Sequence, residues 1–201
     1  THTHTHTHTH THTHTGGGAP TRDNPLKGTP AVVRMHPSDD NVVLAGCSDK
    51  KLYQYDVRQG AVVQVYDRHL GAVNTVTFID RARRLVTTSD DKSIRIWEFG
   101  IPVEIKIVQE PHMHSMPAVA VHPDEQHVAF QSMDNQVVIY EVAGERFKSS
   151  RKRPLKGHLS AGYACELAFS PDGAYLCSGD SRGKLVVWEW KTARVVRSLD
   201  T

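Results

Sequence analysis

The chain has 201 residues, with 24 Lys+Arg against 22 Asp+Glu and a formal net charge of +2. So even a balance excludes a fold-wide attraction to nucleic acid or membrane. No apolar run approaches the ~18 residues of a membrane span, and the opening residues do not read as a secretory leader. Cys47, Cys165 and Cys177 are odd in number and lack metal-type spacing. They read as small apolar residues of a reducing compartment.

Residues 1–15 alternate Thr and His, and Gly16, Gly17 and Gly18 follow. Alternation of this kind builds no core. It reads as an added metal-affinity tail or as a translated CA repeat. In an extended conformation its imidazoles line one side and hold Zn²⁺ or Ni²⁺ loosely. Residues 1–20 are expected to be disordered tail and linker, and no physiological metal is assigned. The chain does not begin with Met, so two readings are open: a fragment or a faulty gene model.

From Ala31 onward short β-rich runs alternate with turns. Unit one, about 31–66, carries expected strands at Ala31–Met35, Asn41–Ala45, Leu52–Tyr55 and Ala61–Val65. Unit two, about 69–108, has apolar positions at Val73, Val76 and Phe78, then Leu85 to Thr88. After the turn Asp90-Asp91-Lys92 come Ile94, Ile96 and Trp97, and Val103–Val108 closes the unit. Unit three, about 114–153, is expected to use Ala118–Val121, Val128–Gln131 and Val137–Glu141, with a poorly defined fourth strand after Gly144. Unit four, about 158–199, uses Cys165–Phe169, Tyr175–Ser178, Leu185–Trp190 and Val195–Leu199. No segment of helical period has useful length.

The units are copies of one another. The aromatics closing the third strands, Tyr55, Trp97, Tyr140 and Trp188, are spaced by 42, 43 and 48 residues. Asp49, Asp91, Asp134 and Arg182 stand six residues before them. Loop histidines His69, His114 and His158 open three units, and proline turns at Pro37, Pro123 and Pro171 end three first strands. A period of ~40–45 residues with Gly-His and Trp-Asp-like signatures resembles the WD-repeat β-propeller. Gly157-His158 is present as such, and Trp97-Glu98 and Trp188-Glu189 are near variants. The expected fold is all-β, with residues 21–201 forming four antiparallel four-stranded blades of a ring of about seven.

Unit two holds every member of a polar bracing cluster: His69, Ser89 or Thr87, Asp91 and Trp97. The indole donates, a hydroxyl both donates and accepts, imidazole bridges and carboxylate accepts. The competing reading is a Ser-His-Asp hydrolase triad. It lacks a nucleophile elbow, and its members repeat from unit to unit as structural parts do. The other units are imperfect. Unit one has Thr29-Pro30 and Tyr55, unit three has Tyr140, and unit four has Arg182 at the Asp position with Asp180 as a possible substitute.

The stretches DRHLGAVNTV, TTSDDKSIRIWE, PHMHSMPAV, QSMDNQVVIYE and GHLSAGYACELAFSPDGAY are similar to the pre-mRNA-processing factor 17 family of WD-repeat splicing factors. The His112–Pro117 loop and the insertion around Ala161–Cys165 are not general WD-repeat features. The resemblance covers about Ala31 to Leu199. It implies a nuclear, non-catalytic spliceosome scaffold around the second catalytic step, exon joining. It implies spliceosomal proteins as partners, with small nuclear RNA or pre-mRNA, and neither cofactor nor small-molecule substrate. The alternative is a general WD-repeat peptide adaptor or ubiquitin-ligase substrate receptor. An enzyme reading finds no phosphate loop, metal triad or paired carboxylates.

One charged run stands out. Arg146, Lys148, Arg151, Lys152, Arg153 and Lys156 fall within eleven residues around Phe147 and Pro154. On an outer strand and its return loop they are expected at the ring's rim. Three readings are open: a solvated edge that discourages strand pairing, a nuclear-import signal at 151–153, or a contact with RNA phosphate or an acidic partner.

Overall fold

A computed structural model describes residues 26–144, 146–150, 154–160 and 162–200 of the chain. Every regular element among them is a strand. The first sheet runs β1 (Pro30–His36), β2 (Asp39–Cys47), β3 (Leu52–Asp56), β4 (Ala61–Tyr66). The second runs β5 (Val73–Ile79), β6 (Arg84–Ser89), β7 (Ile94–Glu98), β8 (Glu104–Val108). The third has β9 (Ala118–Val121), β10 (His127–Ser132), β11 (Gln136–Ala143) and β12 (Arg146–Ser149), with the short β13 (Leu155–Lys156) also on β11. The fourth has β14 (Leu167–Phe169), β15 (Tyr175–Gly179), β16 (Lys184–Glu189) and β17 (Arg194–Asp200). Each sheet is an antiparallel meander with its strands in chain order.

The turn between second and third strands shows why the unit repeats. Lys50, Lys92, Asn135 and Gly183 occupy it, each with positive φ, at 74°, 63°, 65° and 76°. Only Gly183 adopts this without steric cost. In every blade an amide at this turn also clips the preceding loop. Ser48 donates to Thr29 O, Asp90 to Ala72 O, Met133 to Ser115 O and Ser181 to Leu159 O, at 2.7–3.1 Å. Gly71 passes so close that a Cβ there would lie 2.6 Å from the Asp91 nitrogen.

The core lies between blades. Leu44, Leu52 and Tyr66 of the first blade pack on Val73, Val76, Leu85 and Trp97 of the second. Val86, Ile94 and Ile96 pack on Val119, Val128, Phe130 and Phe147 of the third. Ala129, Val137, Ile139 and Leu155 pack on Leu167, Leu176, Val186 and Trp188 of the fourth. Strand alternation produces this layering, because successive residues of β6 or β10 point at different neighbours. Polar bonds cross the same boundaries: Thr88 Oγ1 donates to Met116 O at 2.7 Å and Asn74 Nδ2 to Ser115 Oγ at 2.9 Å.

β1 packs on β5, β5 on β9 and β9 on β14. These first strands enclose a cavity of about 420 Å³ lined by Arg34, Asn74, Thr75, Ala118, Ala164 and Glu166. No comparable packing joins β14 to β1 among the described residues. The outer face of the first blade is open: Val33 and Met35 are 51% and 53% exposed. Val195 and Leu199 on β17 are exposed as well. The fold is that of a partial β-propeller. All three cysteines are free, and burial pushes the Cys47 thiol up.

The open faces predict self-association of the chain in solution. In analytical ultracentrifugation the weight-average mass should rise with concentration, and Val33→Lys with Met35→Lys should lower it. A concentration-independent monomer would contradict this.

Candidate functional site

Two features carry the chain's chemistry: a buried relay in the second blade and a charged rim on the third. The relay begins at Trp97, which is fully buried. Its Nε1–H donates to Thr87 Oγ1 at 2.9 Å. Thr87 Oγ1 is 2.7 Å from His69 Nε2, and His69 Nδ1 is 2.9 Å from Asp91 Oδ2. One proton direction satisfies every link: Thr87 donates to Nε2, and His69 Nδ1–H donates to Asp91. Asp91 also accepts the Leu70 N–H at 2.8 Å, the Ser93 N–H at 2.9 Å and the Ser93 hydroxyl at 2.6 Å. Burial pushes the Asp91 carboxyl up, but the bonds from His69, Ser93 and Leu70 outweigh it and hold the group well below the ordinary range.

The hydroxyl between imidazole and indole is therefore Thr87, not Ser89. The two residues lie on the same face of β6, and Thr87 is one pair deeper, nearer the position where Trp97 crosses. Ser89 Oγ instead accepts the Asp91 N–H at 3.1 Å and shapes the turn. Ser93 was not singled out from sequence. A hydroxyl two residues after the turn Asp was the available signal. The relay has hydrolase-like members but no access: Thr87 is 0% exposed and its oxygen is already engaged by Trp97.

The other blades solve the same problem differently. In the first, the Tyr53 hydroxyl donates to Asp49 Oδ2 at 2.6 Å, and Tyr55 is left half-buried. Burial and the Asp49 carboxylate push that hydroxyl up to about 12. In the third, His114 lies 3.7 Å from Asp134, and Gln136 donates to Asp134 instead. Tyr140 stacks on Phe147 with ring centroids 4.8 Å apart. In the fourth, Asp180 Oδ2 accepts the Leu159 N–H at 2.9 Å, as Asp91 does from Leu70. Arg182 holds Asp180 at about 2 through its hydrogen bond and charge. His158 is buried with neither ring nitrogen paired among the described residues, and burial pushes it down. Trp188 donates to Lys156 O at 2.8 Å.

At the rim, β12 pairs with the outer edge of β11 over Tyr140–Ala143, and β13 pairs with it at Gln136 and Val137. Arg146 and Lys148 on β12 and Lys156 on β13 thus lie along the outer edge of β11. Arg146, Lys148 and Lys156 are exposed. Phe147 between them is 2% exposed and belongs to the core, so it offers no face for a base to stack on. Arg151, Lys152 and Arg153 lie outside the described residues. Beside the rim a groove of about 740 Å³ separates β8 from β12, lined by Lys106, Gln109, Glu110, Glu141, Lys148 and Ser150. Lys106 Nζ spans it to Phe147 O at 2.7 Å.

Residues 60–98 and 149–189 match the family described as "WD domain, G-beta repeat". Those two segments are WD repeats. The chain is also 54% identical over 168 residues to pre-mRNA-processing factor 17 of human and of mouse, covering 83% of the chain. The yeast Saccharomyces cerevisiae protein of the same name is 39% identical over 178 residues, or 87% of the chain. Mouse WD repeat-containing protein 25 is 26% identical over 168 residues. The aligned stretch spans 29% of the human and mouse proteins and 39% of the yeast protein.

The relay predicts a specific pattern of stability. Asp91→Ala leaves buried donors without acceptors and should cost about 1–3 kcal/mol. Thr87→Val should cost more than Ser89→Ala, because it strands both the indole N–H and an imidazole nitrogen. The Asp91 carboxyl is depressed in the folded chain. Its contribution is full above the unfolded value of about 4 and is lost as pH falls through the lower folded value. Urea denaturation should show wild type losing its advantage over Asp91→Asn below that pH. Equal losses for the two chains would remove Asp91 from the account.

Proposed function

We propose that this chain is a non-catalytic scaffold of pre-mRNA splicing, working in the nucleus around exon ligation and docked through the basic rim of its third blade. The observation that carries the proposal is 54% identity to pre-mRNA-processing factor 17 across 83% of the chain. The physical support is the exposed array of Arg146, Lys148 and Lys156 on an outer strand. Its partner is RNA phosphate or an acidic protein of the splicing complex. Phosphate neutralised by such residues releases counterions, so binding weakens steeply with salt. Base-specific readout is not part of the proposal, because Phe147 is buried and no aromatic platform interleaves the charges. The groove between β8 and β12 favours a second reading, a WD-repeat adaptor that takes an extended peptide.

The test reverses the charges of Arg146, Lys148 and Lys156, and separately of Arg151, Lys152 and Arg153, in a complete propeller. Association with splicing complexes should fall, and each lost phosphate contact should lower the log–log salt slope by about 1. Wild-type association and slope in a folded, nuclear variant would reduce the rim to a solvated edge. Recovery of a peptide partner without small nuclear RNA would favour the adaptor.

A further inference from the structure

The turn between β9 and β10 reads His122-Pro123-Asp124-Glu125-Gln126-His127. Three metal-ligating side chains converge there. His122 Nδ1 is 3.0 Å from Asp124 Oδ1, and His127 Nδ1 is 2.7 Å from Asp124 Oδ2. One ligand atom from each of the three lies within 4.8 Å of the others. His122 Nδ1 accepts a turn amide, as His36 does in the first blade, but a hydroxyl can do the same work. The turn's counterpart in the fourth blade, Ser170 to Tyr175, closes with the Ser170 hydroxyl donating to Asp172 at 2.6 Å.

His122 is 8% exposed, and its Nε2 lies 3.0 Å from the Gly173 carbonyl of the fourth blade. An N–H donated there puts the ring proton on Nε2 and leaves the Nδ1 lone pair facing Asp124. That lone pair accepts the Asp124 N–H, at 3.1 Å. Fixing the tautomer through a backbone carbonyl is how proteins orient metal-binding imidazoles. The ring is held further by stacking on Trp190, with centroids 4.8 Å apart and planes at 25°. The side chains of Asp124 and His127 are 34% and 30% exposed, so an ion and its water have a path in.

We propose that His122, Asp124 and His127 form a binding site for a divalent transition metal of the zinc class, with three protein ligands and water in the fourth position. When the ion binds, His127 Nδ1 and the Asp124 carboxylate become ligands, and the single proton of the neutral His127 ring passes from Nδ1 to Nε2 by exchange with water. Because His122 also holds Gly173 and Trp190, the bound ion fastens the third blade to the fourth.

The test uses the full chain, Co²⁺ as the probe and tryptophan fluorescence as the readout, since Trp190 lies against His122 and 5.5 Å from His127 between ring centroids. The Thr-His stretch of residues 1–15 supplies imidazoles of its own, so bulk stoichiometry is uninformative. It is present in every variant, and the difference between variants isolates the site. Co²⁺ should quench wild type saturably. His127→Gln, which keeps a side-chain amide near Asp124, should weaken the midpoint at least tenfold, since loss of an outer-shell partner alone costs about 10–100-fold. Trp190→Phe should abolish the saturable component. Asp124→Asn preserves acceptance of the turn amides and decides on the same criterion if His127→Gln loses its β-sheet circular dichroism. Equal midpoints in wild type and variant, unsaturable quenching in both, or a saturable component that survives Trp190→Phe would overturn the site.

Discussion

The structure of the second blade depends on one buried carboxylate. Taking an ionised Asp out of water is costly unless its lone pairs are filled. Asp91 meets that condition with donors from three directions: the His69 imidazole, the Leu70 amide, and the amide and hydroxyl of Ser93. The first two belong to the incoming loop and the last two to the residue just before β7. Loop, turn and strand are thereby held by the same group. His69 passes the constraint through Thr87 to Trp97, the largest side chain of the layer facing the first blade. The relay therefore links a surface turn to the packing between blades.

Sheets joined face to face need more than apolar contact to fix their angle and register. Apolar layers are non-directional, whereas the bonds crossing them are directional. Thr88 to Met116 O and Asn74 to Ser115 join the second blade to the third. Ser160 reaches back to Asn135 Oδ1 and Ser132 O, and His122 reaches forward to Gly173 O, joining the third to the fourth. Among the described residues the first blade has such support on one face only, which explains how valine and methionine of an inner strand remain exposed. The rim follows from the same layering. β12 lies farthest from the inner strands, so its alternate residues, Arg146 and Lys148, face solvent while Phe147 turns inward.

Much of this was legible in the sequence. The spacing of Tyr55, Trp97, Tyr140 and Trp188 determines a repeated three-strand meander, because strand alternation and turn residues are local properties. His69, Asp91 and Trp97 could be named for the same reason: residues in matching positions of a repeat occupy matching places in space. The exposure of Arg146, Lys148 and Lys156 followed from charge at an outer-strand position.

What tertiary structure decided lies wherever two residues compete for one partner. Thr87 and Ser89 share a face of β6, and only the depth at which Trp97 crosses selects Thr87. Composition could not tell that Tyr53, not Tyr55, would meet Asp49, or that Asp180 would take the Leu159 amide while His158 has no partner among the described residues. Nor could it show that His122 and His127 meet across a turn while a glycine carbonyl from another blade fixes one ring. A repeat sets the positions of side chains along a strand, but a hydrogen bond needs distance and direction across strands and blades. Those quantities exist only once the sheets have packed.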